Sequence, residues 1–156
     1  MSSPSSVRRT GTLAALALLL AATMSVAQTS GTHTLYQRLG GYDFIAKFVD
    51  TAFPRVATQP QLHRLFVGHS IDSQMKQRQL IVDALCQATG GPCIYIGRPM
   101  GPLHDGLHIT DSDWTEFMKI IDGTLVELKV PAVEQHDWNA LFEQKFRPDV
   151  VEHTAK

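Results

Sequence analysis

Apolar residues recur along most of this chain at intervals of three and four, the period of an α-helix that buries one face. The clearest stripe runs through 42–58 and consists of Phe44, Ile45, Phe48, Val49, Ala52, Phe53 and Val56. No segment keeps the strict apolar and polar alternation of a half-buried strand for long. The pattern therefore predicts an all-α protein.

Helix start and stop signals divide this pattern into segments. Gly40-Gly41 and Gly90-Gly91-Pro92 are expected to end two helices, and Thr110 with Asp113 resembles a capping box. Pro54 lies inside the second helix and is expected to kink it or to end its regular hydrogen bonding. The expected helices are 34–39, 42–58, 72–89, 100–107, 111–128 and a last one that starts at Pro131 and is closed by Pro148.

The first 27 residues have the layout of a signal peptide. Arg8 and Arg9 precede an apolar run at 13–22, and the small residues Ser25 and Ala27 suggest cleavage after Ala27. The run is about half of the roughly 20 residues that a membrane span needs, although an uncleaved anchor is the alternative. We expect an exported, periplasmic or secreted protein with a flexible start at 28–32, one domain at 33–152 and a tail at 153–156.

Composition narrows the possible partners. The formal charge is −1, and removing 1–27 takes away two arginines and no acid, so the remaining chain is more acidic. This charge argues against nucleic acid or an anionic membrane as partner. Cys86 and Cys93 are the two cysteines; they could close a disulfide in an oxidising compartment, or Cys86 could be a buried thiol.

The stretch "RPMGPLHDGLHITDSDW" places His104 and His108 four residues apart. Two histidines at this spacing can form a metal pair, supply one ligand with a bystander, or be surface residues. A metal pair needs further ligands, for which Asp105 and Asp111 are near, but no HExxH signature accompanies it and Gly106 disfavours a rigid helical pair. A haem iron needs only one protein nitrogen and an apolar slot.

Several segments together resemble the truncated haemoglobins, the short globins with a two-over-two helix arrangement, and most of all their group I. They are "LYQRLGGYDFIAKFVDTAFPRV", "QLHRLF", "ATGGPCIYIGRPMGPLHDGLHITDSDW" and the last helix from "VPAVEQ" to "FRPDVVE". The resemblance covers 33–152. Its most specific parts are the two Gly-Gly pairs, in register with the run Tyr-x-Gly-Arg-x-Met-x-x-x-His at 95–104.

The resemblance implies a haem b cofactor whose iron is bound by His104. By the same resemblance Met100 lies beside the cofactor, Arg98 is the expected partner of a haem propionate, and His108 is a neighbour that either contacts a propionate or faces water. A planar guanidinium suits a carboxylate because it can donate two parallel hydrogen bonds.

On the opposite side of the haem, the resemblance places Phe66 against the ring and Phe53 where most group I members carry a tyrosine. Phenylalanine cannot donate a hydrogen bond, so a bound ligand would lose about 1 kcal/mol of stabilisation. Gln77, Leu80 and Ile81 are expected to face the haem. A register shifted by one residue would bring in Lys76 and Gln79 instead, and a second histidine ligand would have to come from His69.

The resemblance implies reversible binding of a diatomic gas, namely oxygen as in oxygen transport, or NO or CO, rather than a dedicated enzyme. Alternatives are NO dioxygenation, peroxidase-like chemistry or electron transfer, which need a separate reductase. A haem-free helical interaction module and a divalent metal protein using His104 and His108 are further alternatives. We expect a monomer.

Overall fold

The computed structural model describes residues 33–152, which are helical and contain no strand. The helices are α1 (Leu35–Leu39), α2 (Tyr42–Thr58), α3 (Ile71–Ala88), α4 (Met100–His104), α5 (Asp111–Glu127), α6 (Ala132–Leu141) and α7 (Arg147–Val150). Within residues 33–152, no helix combines the length and the apolar character that crossing a bilayer requires. The predictions for 1–27, 28–32 and 153–156 lie outside the described residues.

Helix boundaries follow the capping residues. α2 has the predicted bounds, and α5 begins where Thr110 and Asp113 form the predicted capping box. α1 starts with a second capping box, in which Thr34 accepts from the backbone of Gln37 and the Gln37 side chain reaches back to Thr34. α3 starts one residue earlier than expected because the hydroxyl of Ser70 caps it. These side chains satisfy amide groups that have no partner within the helix.

Pro54 and Pro131 affect their helices in different ways. Pro54 does not end α2, which continues to Thr58. Pro54 is exposed, so water can reach the carbonyl of Asp50 that the missing N–H leaves free. Pro131 caps α6 rather than opening it, since the first helical residue is Ala132.

Pro148 does not close the last helix, so that prediction is wrong. After α6 the chain forms a π-helical turn at Phe142–Phe146, in which the amide of Arg147 bonds to the carbonyl of Phe142, and then continues as α7. A proline ring clashes with the carbonyl four residues earlier in an α-helix. The wider π turn relieves this clash, and Pro148 then lies in the first turn of α7, where no N–H bond is needed.

The helices pack in two layers, which confirms the predicted two-over-two arrangement. α2 contacts both α3 and α5, while α1 packs on α6 and α4 packs on α7. A chain of aromatic rings joins the layers. The ring centroid of Phe48 in α2 lies 4.6 Å from that of Trp138 in α6, and the centroids of Trp138 and Phe142 are 5.7 Å apart. The rings of Trp138 and Phe48 are almost completely buried. Aromatic packing therefore holds the second layer against α2.

One glycine of each Gly-Gly pair, Gly41 and Gly91, lies against the Tyr36 ring. A Cβ atom on Gly91 would lie 2.6 Å from Tyr36 Cδ2 and 2.7 Å from Cys86 Sγ, so only glycine fits there. The amide of Tyr36 also donates to the carbonyl of Thr89 at 2.9 Å. Beside this contact, Cys86 and Cys93 form a disulfide that ties the last turn of α3 to the following loop.

Candidate functional site

A cavity of about 690 Å³ lies between α2, α3, α4, α5 and the π-helical turn. Its walls are mostly apolar and include Phe48, Val49, Ile81, Leu103, Phe117 and Phe146. Binding sites for cofactors and other small molecules commonly have volumes of roughly 300–1,000 Å³ and apolar walls with a few polar groups. The cavity therefore has the size and lining of a cofactor site.

His104 lines this cavity from the last residue of α4. Its Nδ1 atom lies 2.8 Å from the carbonyl oxygen of Met100, one turn earlier. A carbonyl can only accept, so Nδ1 carries the proton and Nε2 keeps its lone pair. A backbone partner of this kind fixes both the tautomer and the ring orientation of a metal-binding histidine. His104 is therefore prepared to bind a metal through Nε2.

His108 does not line the cavity and faces solvent, which is the second of the two positions expected for it. Its Nδ1 lies 2.9 Å from Glu152 Oε2, and the side chain is 79% exposed. The backbone of His108 has a φ of 50°, which turns the side chain away from the direction a helix would give it. α4 ends at His104, three residues before the expected Leu107, and Gly106 adopts a φ of 73°. His104 and His108 therefore do not lie one turn apart on the same helix.

His104 and His108 consequently do not converge on one metal. Within residues 33–152, no three histidine, cysteine, aspartate or glutamate side chains are grouped to hold a metal ion. A divalent metal site built from both histidines thus finds no support in the described part of the chain.

Phe53 and Phe66 line the wall formed by α2 and the turn that follows it. Their ring centroids are 5.7 Å apart in an edge-to-face arrangement. Such pairs stabilise each other beyond the area they bury. Neither ring can donate a hydrogen bond, so this wall is apolar where a tyrosine would be polar.

α3 presents Gln77, Leu80 and Ile81 to the cavity, which is the unshifted register. Gln79 points elsewhere, because its amide donates to the Tyr42 hydroxyl at 3.0 Å and to the Asp83 carboxylate at 2.9 Å. Lys76 also lines the cavity, although it was expected only in the shifted register. Its exposed position at the rim lets a long side chain contact the apolar wall while its charge stays in water.

The loop before α4 supplies two polar side chains. Arg98 lines the cavity, and its guanidinium donates to the carbonyl of Pro102. Tyr95 donates its hydroxyl to the carbonyl of Arg98 at 2.7 Å, and burial raises the pKa of this hydroxyl despite the nearby charge of Arg98. Tyr95 therefore stays a neutral donor that holds the loop carrying Arg98.

Asp113 is a buried carboxylate on the cavity wall near the start of α5. Burial alone would raise its pKa, but hydrogen bonds from Thr110 and Gln61 and the charge of Arg64 hold the pKa below its ordinary value. The Arg64 guanidinium donates to Asp113 at 2.7 Å and to the carbonyls of Leu107 and His108. Asp113 is thus ionised and fully engaged in holding the loop after α4.

Sequence reasoning missed several of these cavity residues. Ser73, Tyr95 and Asp113 line the cavity but were not expected there, and His69, named above as the possible source of a second histidine ligand, also lines it. Tyr95 belongs to the motif run that ends at His104, which was a usable signal. The local pattern marked Asp113 only as a capping residue, because its place on the cavity wall depends on contacts with the distant residues Gln61 and Arg64.

The haem that the resemblance implies fits the residues present. The cavity volume suits a flat apolar group, and the lone pair of His104 Nε2 is available to iron. Lys76 and Arg98 also line the cavity, and these two cations could pair with the carboxylates of a haem. Globin-type iron is bound by one such histidine on one side.

Comparisons with known proteins agree with this geometry. The bacterial-like globin family matches residues 34–147. A group 1 truncated hemoglobin GlbN from Nostoc commune is 40% identical over 76 residues, which is 49% of this chain and 62% of that protein. The one from Mycolicibacterium paratuberculosis is 34% identical over 77 residues, which is 49% of this chain and 54% of that protein. The matches thus span less than two thirds of these relatives' length.

Solved structures extend the likeness over more of the chain. The truncated hemoglobin from Tetrahymena pyriformis in its Fe(III) form has a TM-score of 0.69 at 22% identity, covering 77% of this chain and 100% of that one. The 2/2 hemoglobin from Synechococcus sp. PCC 7002, in the cyanomet state with covalently attached heme, has a TM-score of 0.69 at 25% identity, covering 78% and 100%. Since the family match spans most of the described residues and the helical arrangement agrees, the chain belongs to the bacterial-like globin family as a two-over-two truncated globin.

Proposed function

We propose that this chain binds haem b through His104 and that the opposite side of the iron binds a diatomic gas, which is oxygen, NO or CO. The observation that carries the proposal is the His104 imidazole. Its Nδ1 is held by the Met100 carbonyl at 2.8 Å, which leaves Nε2 free at the wall of an apolar cavity of about 690 Å³.

Each wall of the cavity has its own part in this function. When bound, the haem iron supplies an open coordination position for a gas. Met100 orients the His104 ring, and the aromatic wall of Phe53 and Phe66 would keep water away from a bound gas. Lys76 and Arg98 would hold the two propionates of the haem, since both cations line the cavity.

The wall facing the gas decides which ligand is retained. Phe53, Leu80 and Ile81 offer no hydrogen-bond donor, so a polar ligand such as oxygen is held less firmly than in a site with a tyrosine. Carbon monoxide depends less on such a donor. We therefore propose reversible gas binding with oxygen release faster than in a site with a tyrosine, with electrons for the ferrous state coming from a separate reductase.

The absorption spectrum of the purified, haem-supplied protein tests this function. We expect a Soret band that shifts on reduction and again on addition of CO. His104→Ala should abolish the band or shift it strongly, whereas His108→Ala is the matched control and should leave it unchanged because His108 lies outside the cavity. An unchanged spectrum in the His104 variant would refute the assignment of the ligand.

We also propose that the protein is exported and acts as a monomer. The disulfide between Cys86 and Cys93 supports export, because such bonds persist in oxidising compartments and are rare in the cytosol. Cell fractionation tests the first part, and size-exclusion chromatography tests the second.

A further inference from the structure

His69 and Gln77 meet at the rim of the cavity, which both side chains line. The Nδ1 atom of His69 lies 3.2 Å from Oε1 of Gln77, across a separation of eight residues. His69 belongs to the loop before α3, and Gln77 lies within that helix. The contact therefore joins the loop to the helix wall that faces the gas.

Three further contacts hold His69 in this place. The Ser70 hydroxyl accepts from the Ser73 amide at 3.2 Å, which sets where α3 begins. The Gln74 side chain donates to the His69 carbonyl at 3.3 Å, and the His69 ring lies edge-on to Phe66 with centroids 6.5 Å apart. The imidazole is exposed to solvent, yet its backbone and one ring edge are constrained.

The chemistry of the two side chains gives the contact a direction. An amide oxygen can only accept, so His69 Nδ1 must carry the proton. The NH₂ group of Gln77 is on the other branch of the same carbon and therefore points away from His69. Within residues 33–152, this NH₂ group donates to no protein atom, although Gln77 is half-buried and lines the cavity.

We propose that His69 is a positioning residue that acts through Gln77, holding the Gln77 NH₂ group toward the gas-binding space. This inference rests on the proposed function. A glutamine offers either two donors or an acceptor, depending on how its amide is turned. Because its Oε1 accepts from His69, Gln77 presents its NH₂ group to the cavity. The neighbouring side chains Phe53, Leu80 and Ile81 have no hydrogen-bond donor.

The CO-bound protein tests this through the CO stretching frequency, which falls when a donor lies near the ligand. His69→Leu and Gln77→Leu should each raise the frequency and speed oxygen release about fivefold, the factor expected for one ordinary hydrogen bond. The double variant should behave like either single variant, because both remove one and the same donor. Additive effects, or a silent His69→Leu, would overturn the proposal. His136→Leu, on the exposed surface of α6, is the matched control.

A variant that reverses the orientation of the Gln77 amide distinguishes an effect of that orientation from a simple loss of packing. In His69→Glu the carboxylate accepts from the Gln77 NH₂ group, which turns Oε1 toward the gas. The CO frequency should then rise above that of His69→Leu, and a value at or below it would contradict the proposal. A change from six-coordinate to five-coordinate iron in His69→Leu would also overturn it, since His69 would then bind the iron directly.

The contact can also be measured without haem, which separates this proposal from the proposed function. In the haem-free protein at alkaline pH, ring ¹⁵N shifts assigned with His69→Leu should show His69 with its proton on Nδ1. A proton on Nε2 would contradict the proposal. A protein that takes up no haem but shows the Nδ1 proton would refute the function while supporting the contact.

Discussion

Reduction of the Cys86–Cys93 disulfide should lower the stability of the protein by an amount that can be worked out from the chain. The two cysteines are separated by 7 residues, so the bond closes a short loop. The loss of chain entropy in the unfolded state for a loop of this length corresponds to about 2.4 kcal/mol. For a domain of roughly 120 residues, that free energy lowers the unfolding temperature by about 10 °C.

The assay is thermal and urea unfolding of the haem-free protein, followed by circular dichroism with and without reductant. Keeping haem out removes the stabilisation that a bound ligand would add. The double variant Cys86→Ala, Cys93→Ala is the internal control: it should unfold at a lower temperature than the oxidised protein and be insensitive to reductant. An unchanged midpoint on reduction, or two free thiols in the untreated protein, would refute the reasoning.

Four further substitutions test particular positions. Phe53→Tyr should slow oxygen release about fivefold in stopped-flow experiments, because it adds a donor to the apolar wall; an unchanged rate would mean that the hydroxyl does not reach the ligand. The pKa of Asp113 lies below its ordinary value of 3.8, so its stabilising effect is present above that pH and is lost as the pH falls through the folded value. Asp113→Asn should therefore lose less stability than the unmodified protein as the pH falls below 3.8, and equal acid sensitivity in urea titrations would contradict this. Gly123 is an exposed position of α5 with open space where a Cβ atom would lie, so Gly123→Ala should stabilise the helix by up to about 1 kcal/mol. Gly91→Ala should destabilise the protein strongly, because its Cβ would lie 2.6 Å from the Tyr36 ring. Similar unfolding midpoints for the two variants would be the contrary result.

Much of the helical framework could be read from the chain because the signals are local. The bounds of α2 and the capping box at Thr110 depend on residues within one helical turn of each other. His104 could also be identified from the sequence, since it ends the motif run at 95–104. Met100, whose carbonyl holds its ring, lies four residues earlier in the same run. The unshifted register of α3 likewise follows from its own apolar spacing.

Elsewhere, the sequence pattern left the conformation open or predicted it wrongly. His108 turns outward to Glu152, which lies 44 residues later in the chain. Pro148 continues a helix because the preceding π turn makes room for its ring. The π turn itself carries Phe142 and Phe146, whose rings lie 5.1 Å apart on the cavity wall.

The amino-acid order by itself determined which segments are helical, where most of them begin, and which histidine follows the motif, because hydrogen bonds and capping contacts of helices join residues close in sequence. The tertiary structure alone decided that Cys86 meets Cys93, that His69 meets Gln77, and that Asp113 is held by Arg64. Those pairings depend on the direction in which loops return to the helices. A side chain's neighbours across a cavity are set by packing of the whole chain, which no local pattern encodes.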